Sequence, residues 1–316
     1  MIEKVSCMNS LVSSVIHQIE QIVIGKPTQV KLATACIFAK GHLLIEDLPG
    51  MGKTTLAHAL ASTLNLSYQR VQFTSDLLPA DVIGVSVFDT ETQAFKLHQG
   101  PIFNQLVLAD EINRASPKTQ SALLEAMEEN RVSIDGETYQ LPQPFFVIAT
   151  QNPMFHSGTY SLPESQLDRF MMRISLGFPN TEAEKKILTN AFGATDFSAL
   201  KAFITPEQLI DIQAQVQQIH LSEAVLNYVV ALLQQSRNDN DSANPLSPRA
   251  GKALISAAKA WAFIEGRDYL LPDDIQAVFS ATCQHRLNST FALSANDTDA
   301  AQQILNAVDA TAPSLA

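Results

Sequence analysis

Apolar positions in the first 180 or so residues switch repeatedly between strand-like runs and helical spacing, and beyond that point only helical spacing remains. Leu11, Val12, Val15, Ile16 and Ile19 recur at the spacing of one helix face, and a second helix is expected from Thr28 to Ala39, stopped by Gly41. His42 to Ile45 reads as the first strand of a sheet. A helix from Lys53 to Leu64, a strand from Tyr68 to Phe73, an irregular segment to Ile102 and a strand from Gln105 to Ala109 follow. Phe145 to Thr150 is another apolar run of strand length. Short unbroken apolar strands alternating with helices imply an α/β fold, a parallel sheet covered by helices on both faces. After Phe178-Pro179-Asn180 helices are expected at Thr181–Phe192, Pro206–Gln218, Ser222–Arg237, Ser247–Glu265 and Pro272–His285. Asn238 to Asn244 is a polar loop, and the alanine-rich tail from Asp297 adds one weak helix. The change of pattern divides the chain into an α/β domain over residues 1–180 and a small all-helical domain over 181–316, with no internal repeat.

The first strand and the helix after it flank Glu46 to Thr55, EDLPGMGKTT. Glycines at 50 and 52 let backbone amides converge on phosphate oxygens at a helix N-terminus. Lys53 then reaches the outer phosphates, and the Thr54 hydroxyl is offered to Mg²⁺. The strict pattern G-x-x-x-x-G-K-[ST] asks for glycine at position 47, where this chain has Asp47. Pro49-Gly50-Met51-Gly52-Lys53-Thr54 reads as a variant loop whose turn is set by proline, with Asp47 at its edge. An ordinary strand-to-helix turn is the bland alternative.

Two further constellations bear on the same chemistry. Leu106 to Glu111 is an apolar strand ending in two carboxylates, costly to bury unless they face a cation or a cavity. In a nucleotide-hydrolysing site Asp110 holds Mg²⁺ through its water shell and Glu111 polarises the attacking water, whereas in a structural role the pair caps the next element. Phe145 to Pro153 is a strand ending in polar side chains, where Asn152 either positions the water or forms a turn with Pro153. Arg169 follows a short helical run and Arg249 starts a helix of the second domain. Each is either a cation for phosphoryl transfer or a solvated surface arginine.

Composition narrows the classes. The 316 residues are 46% hydrophobic, enough for a sizeable core, and the formal charge is −11. That charge argues against sequence-independent binding to nucleic acid, which draws on basic residues. No run approaches the roughly 18 apolar residues of a membrane span, and Met1 to Gln21 carries Glu3 and Glu20 without a signal-like core, so a cytoplasmic protein is expected. Cys7, Cys36 and Cys283 are far apart and lack metal spacing, which makes them buried small residues.

The motifs together resemble the MoxR family of AAA+ ATPases, over a stretch from about Val23 to beyond Arg286. The resemblance rests on Gly41 to Thr54, Gly100 to Phe103, Asp110 to Ala115, Pro117 to Glu129, Ala149 to Pro153, Gly158 to Tyr160 and Leu162 to Phe170, in that order. It implies an AAA+ P-loop NTPase whose sheet, sandwiched by helices, is followed by a helical lid. ATP and Mg²⁺ are its expected cofactors. The loop residues Pro49, Gly50, Met51, Gly52, Lys53, Thr54 and Thr55 match the nucleotide-binding loop, with Thr54 and Asp110 as metal-holding groups and Gly25 in the segment near adenine. Glu111 matches the base, Asn152 the sensor on the central strand, Arg249 the lid sensor, and Arg169 an arginine finger acting on the neighbouring subunit. Arg114 and Arg173 remain alternatives for that finger. Residues 74–102 resemble the helix-2 insert of this clade, and 131–141, with the tight-turn pair Asp135-Gly136, resemble the hairpin before the sensor strand. The resemblance further implies a ring, most simply a hexamer, a protein client and a partner with a von Willebrand factor A domain. A nucleic-acid motor and a slow nucleotide switch are the alternatives.

Overall fold

A computed structural model describes residues 2–152, 160–189, 200–238, 244–287 and 300–310. Pro153, Gly158 and Thr159 of the quoted motifs, residues 190–192, the polar loop from 239 to 243, the tail before 300 and the side chain of Cys7 lie outside the described residues. In chain order the elements begin with α1 (Ile2–Ile22), α2 (Pro27–Phe38), β1 (Leu43–Glu46), α3 (Lys53–Thr63) and β2 (Tyr68–Gln72). Next come α4 (Pro79–Ile83), β3 (Gly84–Asp89), β4 (Ala94–Gln99), β5 (Leu106–Asp110) and α5 (Pro117–Glu129). The α/β part closes with β6 (Arg131–Ile134), β7 (Glu137–Gln140), β8 (Phe146–Gln151), α6 (Glu164–Leu167) and β9 (Met172–Ile174). The helices α7 (Thr181–Thr189), α8 (Pro206–Gln217), α9 (Glu223–Asn238), α10 (Pro248–Ile264), α11 (Pro272–Leu287) and α12 (Ala300–Ala307) complete the chain.

The main sheet has the order β2-β5-β8-β1-β9 with every pairing parallel. Its central strands are unbroken apolar runs because both faces are buried, and their period of two sorts the side chains into two cores. Leu43, Ile45, Leu106, Leu108, Phe146 and Ile148 turn towards the face carrying α1, α2 and α3. Leu44, Val107, Ala109, Val147 and Ala149 turn towards α5 and the hairpins. The first core runs on without a break into Leu254, Ile275, Val278 and Phe279 of the C-terminal helices, so the lid rests on α2 and β9 of the same chain. Helix starts follow local chemistry. Ser116, Thr205 and Ser247 accept from the amides of Thr119, Gln208 and Ala250, each with a proline at the next position.

The expected hairpin is β6-β7, and Asp135 (φ 51°) and Gly136 (φ 85°) both take the left-handed conformation a two-residue turn demands. Two expectations change. Residues 74–102 are not irregular: they hold α4 and the antiparallel ribbon β3-β4. Its apolar residues Val87, Phe88 and Phe95 are exposed, so no buried face marked the strands in advance. Gly84 and Gly100 sit where the ribbon's two ends cross, and a Cβ on either would come within 2.4 Å of a backbone oxygen. The sheet also has the strand β9, whose three residues are too few to show a period in the sequence.

Candidate active site

Since all five strands run the same way, the C-terminal ends of β1, β5 and β8 share one edge, and there polar residues replace the apolar runs. The chain leaves β1 at Glu46 and enters α3 at Lys53, whose first-turn amides lack helical acceptors and face the loop. Gly50 (φ 83°) and Gly52 (φ 88°) are left-handed, and a Cβ on either meets no heavy atom within 4 Å. Backbone conformation, not crowding, demands glycine here, and the open space in front of the loop fits a phosphate group. Lys53 is buried and donates Nζ to the Asp47 carbonyl at 2.7 Å and to Asn152 Oδ1 at 3.1 Å. Burial pulls its pKa below the usual lysine value against the opposing pull of Asp110, Asp47, Glu111 and Glu46.

Asp47 occupies the position that the strict pattern gives to glycine. Its carboxylate accepts from Ser175 Oγ at 2.8 Å, from the Gly177 amide at 3.2 Å and from the Leu176 amide. The residue braces the loop against the segment that follows β9.

Asp110 and Thr150 share a face with Leu108 and Ile148, the face of α3, because both strands have period two. Thr150 Oγ1 donates to Asp110 Oδ1 at 2.5 Å and accepts the Glu111 amide at 2.9 Å. Glu111 has φ 55°, a left-handed conformation that costs a residue with a side chain about 1–3 kcal/mol and is pinned here by that amide bond. Its Oε1 accepts from Asn152 Nδ2 at 3.0 Å, and its Oε2 accepts from Gln72 Nε2 at 3.0 Å and Arg114 at 2.9 Å. Asn113, 1% exposed, donates to the Asn152 carbonyl at 3.3 Å and so holds the backbone at Asn152. Lys53, Asn152, Glu111 and Asp110, expected from three separate segments, thus form one connected network. Arg70, Gln72, Thr150 and Asn113 belong to it too and were not singled out from the sequence. Asn113 and Thr150 lie within the quoted motifs, and the signal for Arg70 and Gln72 is the alternation of polar residues with Val71 at the end of β2.

The donor set suits Mg²⁺ with a nucleotide. Thr54 and Asp110 supply hard oxygens, and among the described residues no group of three or more His, Cys, Asp or Glu forms a metal cage. A cation held here would take its other ligands from phosphate and water, as Mg²⁺ does. Gly25 (φ 77°) lies so close to α7 that a Cβ would fall 2.5 Å from that of Ala183, and Lys26 donates to the Phe178 carbonyl at 2.6 Å. The segment after α1 is thereby tied to the start of the helical part.

Arg169 and Arg249 are not part of this cluster. Arg169 pairs with Glu128, and Arg249 reaches Glu128 and Asp168 at 3.4 Å each. Both line a cavity of about 280 Å³ with Gly41 and His42, at the start of β1, whereas the loop leaves its end. The four residues of β1, about 13 Å of strand, lie between them and Lys53. Arg114 and Arg173 by contrast pair with Glu111 and Glu46, on the loop's side of the sheet.

A five-stranded parallel sheet with this loop, this carboxylate pair and a helical lid defines an AAA+ P-loop ATPase fold. The family model described as "ATPase family associated with various cellular activities (AAA)" matches residues 42–172, and that of the AAA lid domain matches 234–307. The uncharacterised protein YeaC of Bacillus subtilis is 44% identical over 280 residues, 89% of this chain and 88% of that one. Chaperone MoxR1 of Mycobacterium tuberculosis is 38% identical over 285 residues, 87% of this chain and 75% of that one. The solved structure of a candidate ATPase from Cytophaga hutchinsonii superposes with a TM-score of 0.88 at 33% identity, covering 97% of both chains. The chain belongs to the MoxR family of AAA+ ATPases.

Proposed function

We propose that the protein is a cytoplasmic, Mg²⁺-dependent ATPase that works as a ring, most simply a hexamer, and uses hydrolysis to remodel or mature protein complexes. A protein with a von Willebrand factor A domain is the proposed partner. Bound ATP supplies the phosphoanhydride to be cleaved. Lys53 and the amides of the loop hold its phosphates, Thr54 and Asp110 hold the cation, Glu111 takes the proton of the attacking water, and Asn152 orients that water. The observation that carries the ring is the placement of Arg169 and Arg249 together at the sheet end opposite their own Lys53. Cations so placed would serve a site on an adjoining subunit, and the proposed finger is Arg169, since Arg114 and Arg173 lie beside their own loop, on Glu111 and Glu46. The lid carries Arg249 and would transmit nucleotide state through its packing on α2 and β9.

Mixing tests this reading. Glu111→Gln and Arg169→Ala should each abolish turnover, and the two inactive proteins should regain it when mixed, because some interfaces then combine an intact Glu111 with an intact Arg169. Arg169→Ala protein that hydrolyses ATP at the wild-type rate would sink the finger assignment. Turnover that does not rise with assembly, followed by mass in the same samples, would sink the ring.

A further inference from the structure

β2 is an edge strand paired in parallel with β5, so that Gln72 stands opposite Asp110 and Arg70 opposite Leu108. Val71 turns into the core shared with α5, which leaves Arg70 and Gln72 on the face that carries Asp110. Two nitrogens of the Arg70 guanidinium, Nη2 at 2.6 Å and Nε at 3.1 Å, donate to the same oxygen, Asp110 Oδ2. The other oxygen, Oδ1, is taken by the Thr150 hydroxyl. Gln72 Oε1 accepts from Arg70 Nη2 at 3.1 Å, which holds the guanidinium in register with the carboxylate.

The chain thus places a fixed positive charge on the one carboxylate oxygen that Thr150 leaves open. A hydrated divalent cation held by Asp110 needs that same oxygen, and the two cations repel each other at contact distance. We propose that Arg70 competes with the divalent metal for Asp110 Oδ2 and so sets the metal concentration at which the site loads. The proposal rests on the assignment of Asp110 as a metal-holding group made above. Arg70 is suited to yield. Its side chain is 49% exposed while that of Asp110 is 11% exposed, so the guanidinium can swing into water while the carboxylate stays in place. Half-exposed pairs of this kind are weak, so the competition is a matter of a few fold and not of orders of magnitude.

The test is a titration of the full-length protein with Mn²⁺ in the presence of ADP, with free Mn²⁺ read by electron paramagnetic resonance. Arg70→Ala and Arg70→Gln should both lower the half-saturating Mn²⁺ about two- to fivefold, and Arg70→Lys, which keeps the charge but loses the fork, should fall between them and wild type. Arg70→Gln keeps most of the aliphatic stem, so a fold lost in the alanine variant leaves the question answerable. Asp110→Asn is the control for the underlying assignment and should weaken Mn²⁺ binding. If Asp110→Asn weakens Mn²⁺ but the neutral Arg70 variants bind it as wild type does, or more weakly, the competition is refuted and the metal assignment stands. If Asp110→Asn leaves Mn²⁺ binding unchanged, the metal assignment fails and the proposal falls with it. Loss of turnover in Arg70→Ala at unchanged Mn²⁺ affinity would likewise overturn it, placing Arg70 on the phosphates instead.

Discussion

Thr150→Val removes one buried hydroxyl while keeping the β-branched shape and nearly the volume of the side chain. The hydroxyl is wholly buried and serves two partners, donating to Asp110 and accepting the Glu111 amide. A bond to a charged carboxylate contributes about 1.5–3 kcal/mol, and a buried donor left without an acceptor costs about 1–3 kcal/mol. The two losses overlap, because one side chain serves both and relaxation recovers part of each, so about 3 kcal/mol of stability should go. The effect on chemistry has a separate cause. Glu111 holds a left-handed backbone, and without its amide bond the carboxylate drifts from the position that Asn152 and Gln72 define. Misplacement by an ångström is enough to lower turnover by about tenfold or more. Urea denaturation and steady-state ATP turnover read the two effects, with nucleotide affinity expected to change little, since Lys53 and the loop are untouched. Thr150→Ser should recover most of both losses. A valine variant that unfolds within about 0.5 kcal/mol of wild type and turns over at full rate would refute the reasoning.

Acid should destabilise the fold through His42. Its Nδ1 accepts the Val147 amide at 3.0 Å and its Nε2 donates to the Met127 carbonyl at 3.1 Å, and burial pulls its pKa down to about 4. The unfolded chain takes up this proton near pH 6.5 and the folded one only near 4, so the contribution is complete above 6.5 and is lost as pH falls across that window. The loss amounts to about 3 kcal/mol and is read by urea titrations of wild type and His42→Gln. Equal acid sensitivity in the two proteins would count against it. His285, also buried and pushed well below the usual histidine range by burial and by Arg286 and Arg173, adds in the same direction. Asp47→Gly writes the strict phosphate-loop pattern into the chain and should still be harmful. It strips three acceptor contacts from Ser175, Leu176 and Gly177, costing about 2 kcal/mol and weakening nucleotide binding. A glycine variant as stable as wild type, with unchanged affinity, would show that the brace is dispensable.

Residues whose role depends on local conformation or strand period were legible in the sequence. Gly50 and Gly52 had to be left-handed before a helix that begins at Lys53, and both are. The apolar runs at 106–109 and 145–150 had to be buried on both sides, and they are the sheet's central strands, apart from Phe145, which precedes β8 and is only partly buried against the core. The helices from Pro206 to Leu287 begin and end within a few residues of the expected positions, and α7 begins at the expected Thr181, because capping residues and prolines act within one turn. The ribbon β3-β4 was not legible, since its pairing depends on backbone partners and most of its apolar residues, Val85, Val87, Phe88 and Phe95, are exposed while Leu97 packs on the core.

By itself the sequence determined that a phosphate loop, a carboxylate pair and a polar-ended strand lie on one parallel sheet, because each is written in contiguous residues with a fixed period. The tertiary structure alone decided who meets whom. Arg70 finds Asp110 across 40 positions of chain only because β2 registers against β5, and Asp47 finds Ser175, Leu176 and Gly177 across 128 to 130 positions only because β9 pairs with β1. Arg169 and Arg249 come together, away from their own loop, because α10 and α11 dock on α2 and β9. Period and propensity reach a few residues along the chain, whereas these pairings are fixed by strand register and helix docking, whose energy is spread over the whole core.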